Sequence, residues 1–158
     1  MFTVFILCEL SGTVETCIWD AGRGVLEHSG HSVSVMPKGL ECCRAHHSGC
    51  GHIAVKPDSA AGGLCKVYVT SRTDNMIVVL GTPTRPGLEV LQRVSTLGVC
   101  PRIFLIDETR GTLTVTNQDT QNAVEYKMGS DGLLEEASAR VCEIVGVCPW
   151  AMCVAPSN

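Results

Sequence analysis

The sequence predicts an α+β fold. It would be a single domain over residues 1–158, with a mixed central sheet, a hairpin-rich N-terminal half and two main helices at about 86–97 and 132–145. Three observations predict it. A chain of 158 residues suits one domain, and this size buries roughly 70% of its unfolded surface. Short runs rich in Val, Ile and Thr alternate with Gly, Ser, Asn and Asp clusters in the first half, which is strand and turn chemistry. Two stretches of the second half repeat apolar residues at three- and four-residue spacing, the period of a helix face.

The elements follow in order. Residues 2–10 read as a buried strand and Thr13 to Trp19 as its partner, with Ser11-Gly12 as the turn. Residues 20–31 read as loop, and Ser32 to Met36 as a short alternating run. Residues 37–63 are irregular, interrupted by a strand at Ile53 to Lys56. Leu64 to Thr70 and Met76 to Leu80 form a hairpin across Arg72-Thr73-Asp74-Asn75. Pro86 starts a helix carrying Leu88, Leu91, Val94 and Leu97, and Gly98 stops it. Arg102 to Ile106, Thr112 to Thr116 and Ala123 to Met128 are strands. Asp131 caps a last helix whose stripe is Leu133, Leu134, Ala137, Val141, Ile144 and Val145. Trp150 to Val154 forms an edge strand or packs on the core. No internal repeat is visible.

Composition narrows the function classes. The net charge is −4 and the twelve Lys and Arg are scattered. Phosphate backbones need clustered cations, so nucleic acid is excluded as a main partner. No apolar run is long enough for a bilayer, so membrane insertion is not expected. Ten cysteines without a secretory leader imply reduced thiols and a cytoplasmic or other reducing compartment. Only 18% of residues are charged while 45% are hydrophobic. That balance points to a contact surface for other protein subunits or a copy of itself.

All five histidines lie between His28 and His52, with Cys42, Cys43 and Cys50 in the same window. Imidazole and thiolate are zinc ligands, and a glycine-containing loop lets four converge. The candidate metal set is Cys43, His47, Cys50 and His52, with Cys42 and His46 as alternates. The same groups offer a Cys–His nucleophile, though no orienting residue accompanies them. No glycine-rich phosphate loop and no carboxylate pair for acid–base work is present.

Gly98-Val99-Cys100-Pro101, followed by Arg102 to Asp107 and the Gly111 turn, resembles the C-terminal half of thioredoxin-fold proteins. That resemblance implies a cis-proline at Pro101 facing an active site, with Cys100 beside it as the alternative catalytic residue. The N-terminal hairpin and the 53–80 meander also resemble longin- and profilin-like domains, which bind other proteins. The sequence therefore predicts a non-enzymatic, intracellular protein-interaction or structural subunit that needs no cofactor. The alternatives are a divergent thioredoxin-like thiol protein and a small zinc-stabilised binding module.

Overall fold

The computed structural model describes residues 1–39, 49–57, 65–82, 87–149 and 152–153. These residues form eleven strands and no helix. The strands are β1 (Phe2–Cys8), β2 (Thr13–Asp20), β3 (Val25–Ser34), β4 (Cys50–Pro57), β5 (Cys65–Ser71) and β6 (Met76–Gly81). They continue with β7 (Glu89–Ser95), β8 (Pro101–Asp107), β9 (Thr112–Asn117), β10 (Asn122–Met128) and β11 (Leu134–Glu143). They assemble into three antiparallel sheets, each in chain order: β1-β2-β3, β4-β5-β6-β7 and β8-β9-β10-β11.

The first two hairpins form where the sequence places them, and so does the Gly111 turn. The α+β expectation is overturned, and the thioredoxin-like and longin- or profilin-like readings fall with it. Both predicted helices are strands. The first becomes β7, whose faces serve different neighbours. Val94 enters one core and Arg93 donates to the Val35 carbonyl at 2.6 Å on the opposite side. The second becomes β11. Its helical spacing comes from a wide bulge: Glu125 pairs with Arg140, but Lys127 pairs with Glu135. Ser138 closes that bulge by donating to the Glu135 carbonyl at 2.6 Å and accepting the Lys127 N–H at 2.8 Å. An edge strand with exposed charges and a bulge resists further pairing, and its local pattern imitates a helix face.

Strand alternation sends successive side chains to opposite faces, and the middle sheet is covered on both. Val67, Val69, Val78 and Leu80 pack with Val14 and Val35 of the first sheet. Tyr68, Ile77 and Val79 pack with Phe104, Leu113, Val115 and Val124 of the third. Buried polar groups tie the layers. The Gln92 amide donates to the Leu134 carbonyl and accepts the Leu134 N–H, both at 2.8 Å. The Tyr68 hydroxyl donates to the Gly132 carbonyl at 2.7 Å, and the Tyr126 hydroxyl to the Ser95 carbonyl at 2.6 Å. Burial pushes the Tyr126 phenol up to about 12.

The sheets also repeat one another, although the sequence shows no plain repeat. In each, the second and third strands of the four-strand pattern meet at a four-residue turn whose last residue is left-handed. Those residues are Gly12, Asn75 and Gln121, with φ of 64°, 57° and 51°. By this register β1 matches β5 and β9, so the first sheet lacks, among the described residues, a strand matching β4 and β8. The residue before each of those inner strands is left-handed too: Gly49 at 95° and Cys100 at 63°. At Gly49 a Cβ would lie 2.8 Å from the Glu9 carbonyl oxygen, so only glycine fits.

His52, half-buried, packs against Phe104 with ring centroids 4.5 Å apart and the planes tilted by 59°. Its Nδ1 accepts the Phe104 N–H at 3.4 Å. Burial holds its pKa below the ordinary 6.5, so the fold favours the neutral ring.

Three outcomes are expected. Gly49→Ala lowers stability by about 1–3 kcal/mol in urea unfolding, from backbone strain and the blocked approach. Gln92→Leu strands the buried Leu134 N–H and carbonyl, costing about 1–3 kcal/mol and raising hydrogen exchange at Leu134. As pH falls below about 6.5 the unfolded chain protonates His52 before the folded chain does, so stability is full above that pH and declines below it. Urea midpoints at about pH 7.5 and pH 5 should differ less for His52→Phe, which keeps a ring but cannot titrate.

Candidate functional site

The end of the stack where β4 and β8 begin gathers the polar residues. Inner strands approach closely here: a Cβ on Gly51 would lie 2.8 Å from the carbonyl oxygens of Pro101 and Arg102 and from Thr70 Oγ1. One backbone device is used twice. The Arg72 N–H donates to the Gly49 carbonyl at 2.8 Å, and the Gln118 N–H donates to the Cys100 carbonyl at 2.9 Å. Each bond joins the residue that ends a second strand to the left-handed residue that precedes an inner strand. Glu9 holds the matching place in the first sheet and its carbonyl accepts the Cys50 N–H at 3.3 Å. Glu9, Arg72 and Gln118 are thus equivalent positions of three successive sheets.

Their side chains meet charged partners. Arg72 Nη2 pairs with Glu9 Oε1. Arg102 Nε donates to Gln118 Oε1 at 2.5 Å. The Arg72 side chain is 5% exposed and that of Glu9 58%. A guanidinium cannot lose its proton in a protein, so two fixed cations stand at this end beside the carboxylates of Glu9 and Asp119 and the Gln118 amide. Chemically, that set stabilises an oxyanion or binds an anionic group.

The sequence-nominated residues fare differently. Cys43 and His47, like the alternates Cys42 and His46, lie outside the described residues. Cys50 opens β4 and packs between the first and second sheets, whereas His52 packs against Phe104 between the second and third. The structure therefore does not bring Cys50 and His52 to one point. Among the described residues no group of three or more His, Cys, Asp or Glu is placed to hold a metal. Cys100 is buried beside Arg102 and donates from Sγ to Gln118 Oε1 at 3.8 Å. Burial, then the Asp119 charge, pushes its thiol pKa up, against the opposing pull of Arg102 and Arg72. A protonated, buried thiol is a poor nucleophile. Pro101 is the buried first residue of β8.

Sequence reasoning did not single out Arg72, Arg102, Gln118 or Glu9. Arg72 and Gln118 sit in turns that read as connections, and Glu9 reads as part of a strand over residues 2–10, although β1 ends at Cys8. The signal was a faint repeat, Val69-Thr70-Ser71-Arg72 against Val115-Thr116-Asn117-Gln118, in which the chemistry-bearing residue changes each time.

A family model described as lactonase, 7-bladed β-propeller, matches residues 2–154. A protein from Lactobacillus plantarum superposes with a TM-score of 0.72 at 27% identity, over 92% of this chain and 40% of that one. The periplasmic gluconolactonase of Pseudomonas aeruginosa superposes at 0.70 and 21% identity, over 91% and 39%. A candidate 6-phosphogluconolactonase from Bacteroides fragilis does so at 0.69 and 20%, over 89% and 35%. This chain thus covers 35–40% of the length of these solved structures. No curated protein matches it. These findings overturn the expected non-enzymatic subunit, the reading against an enzyme, and both the thioredoxin-like and the zinc-module alternatives. A propeller is built by stacking four-stranded sheets as blades around an axis, and the two four-stranded sheets and the three-stranded first sheet stack face to face in that manner. With residues 2–154 matched by that model, the chain belongs to the seven-bladed β-propeller lactonase family.

Proposed function

We propose that this chain supplies part of a lactone hydrolase, with the cationic end of its inner strands as the reaction site. The observation that carries this reading is the convergence of Arg72, Arg102 and Gln118 on one end of the blades of a lactonase-family chain. The gluconolactonase named among the similar structures supports a sugar lactone as the substrate class.

The chemistry asks for little covalent machinery. A lactone is a neutral cyclic ester. Water adds to its carbonyl carbon, the carbonyl oxygen becomes anionic, and the ring C–O bond then breaks. The ring oxygen takes up a proton and the product is a hydroxy acid, ionised near neutral pH. Two fixed guanidiniums near the developing oxyanion lower that barrier because their charge is oriented before reaction. Gln118 holds Arg102 through Nε, which fixes the plane of that guanidinium and the directions in which its donors point. Phe104 and the β4–β8 contact keep the wall rigid beneath them.

No helix among the described residues is long and apolar enough to cross a membrane. The eight cysteines among the described residues form no disulfide, which supports the cytoplasmic or other reducing compartment within this proposal.

Arg102→Gln should lower the rate of δ-lactone opening by roughly tenfold to a thousandfold, followed as acid release in a pH-stat with glucono-δ-lactone. A rate unchanged by Arg102→Gln, with melting also unchanged, would remove this site from the reaction.

A further inference from the structure

We propose that Arg72 is an oxyanion-binding residue and that Glu9 is its internal placeholder, displaced when an anionic ligand arrives. The proposal deepens the lactonase reading and rests on it only for the identity of the oxyanion.

The pair is asymmetric. Arg72 follows β5 and is held by its own N–H on the Gly49 carbonyl. Its side chain is almost fully buried, and its Nε has no hydrogen-bond partner among the described residues. A buried guanidinium with unused donors is costly, because desolvation is only partly repaid. The carboxylate that answers it comes from a different blade, on the turn after β1, and most of its side chain is exposed. Cation and frame are therefore fixed, while the counter-ion sits on the surface and can rotate into water.

Gly49 makes the exchange geometrically feasible. A Cβ there would come within 3.0 Å of Glu9 Cγ and 3.3 Å of Arg72 Nη2. The glycine leaves the space in which the carboxylate meets the guanidinium, and an incoming carboxylate or phosphate would use the same opening. Arg102 stands nearby, since both guanidiniums act on the Cys100 thiol. Asp119 acts on that thiol too, so a ligand that displaces Glu9 meets the Arg72 guanidinium directly, with Arg102 and Asp119 beyond it. Carboxylate and phosphate share the required chemistry: planar or tetrahedral oxygens matched to a guanidinium fork.

The test is binding, read without turnover. Inorganic phosphate and D-gluconate are titrated into the wild-type chain and Glu9→Gln by calorimetry, in chloride buffer. Removing the competing charge should tighten at least one probe about fivefold or more. Tightening of phosphate alone assigns a phosphoryl group, and of gluconate alone a carboxylate. Arg72→Gln should abolish the effect, with Arg72→Lys intermediate. Equal affinity of wild type and Glu9→Gln for both probes overturns the proposal, and that comparison decides even if Arg72→Gln does not fold. Retained binding in a folded Arg72→Gln also overturns it. If Glu9→Gln tightens binding but no lactone is opened, the reaction is wrong and the oxyanion site stands. If lactone is opened but Glu9→Gln changes no affinity, the reaction stands and the placeholder role is lost.

Discussion

Everything else in the molecule hangs on the middle sheet being covered on both faces. Val67 and Val69 point one way and Tyr68 the other; Val78 and Leu80 oppose Ile77 and Val79. Period-two alternation turns that single sheet into the shared wall of two cores. At about 25 cal/mol per Å² of apolar surface, such burial supplies the main drive for stacking. The polar ties are fewer but directional. Gln92 docks on Leu134 as if it were a strand edge, and Arg93 reaches the Val35 carbonyl across the other interface. Hydrophobic contact brings the blades together, and these bonds set how far each is turned against the next.

Stacking places the starts of β4 and β8 side by side, and the site follows from that. The Gly51 contact with Pro101 and Arg102 leaves no room for a side chain between the inner strands. Arg72 and Gln118 are held at their base by main-chain hydrogen bonds to Gly49 and Cys100, and Gln118 in turn holds Arg102. Guanidiniums anchored that way lose little freedom on meeting a ligand, which is the physical basis of preorganisation.

The hairpins were legible in the sequence because their signals are local. Ser11-Gly12 and the Arg72 to Asn75 turn sit between β-branched runs, and short-range turn chemistry decides them. The two supposed helices were not legible for the opposite reason. Leu88, Leu91 and Val94 carry a three-residue spacing, yet Val94 and Arg93 answer to different sheets. In β11 the bulge between Glu135 and Arg140 shifts the alternation and simulates a helical stripe. Only cross-strand partners, distant in the chain, resolve such ambiguity. The histidine-rich window stands out by composition, while Arg72 and Gln118 are ordinary turn residues and Arg102 an ordinary strand residue. Their meaning lies in a repeat whose backbone persists and whose side chains diverge.

That divergence has a consequence. The bonds to Gly49 and Cys100 run through main-chain atoms, and the Asn75 side chain adds a bond from the Cys100 N–H at 2.9 Å. Glutamate, arginine and glutamine occupy the equivalent place without altering the frame that carries them. The same turn position thus carries three side chains of different charge. Selection can rewrite the chemistry of the axis one blade at a time, and a new specificity need not begin with a new fold.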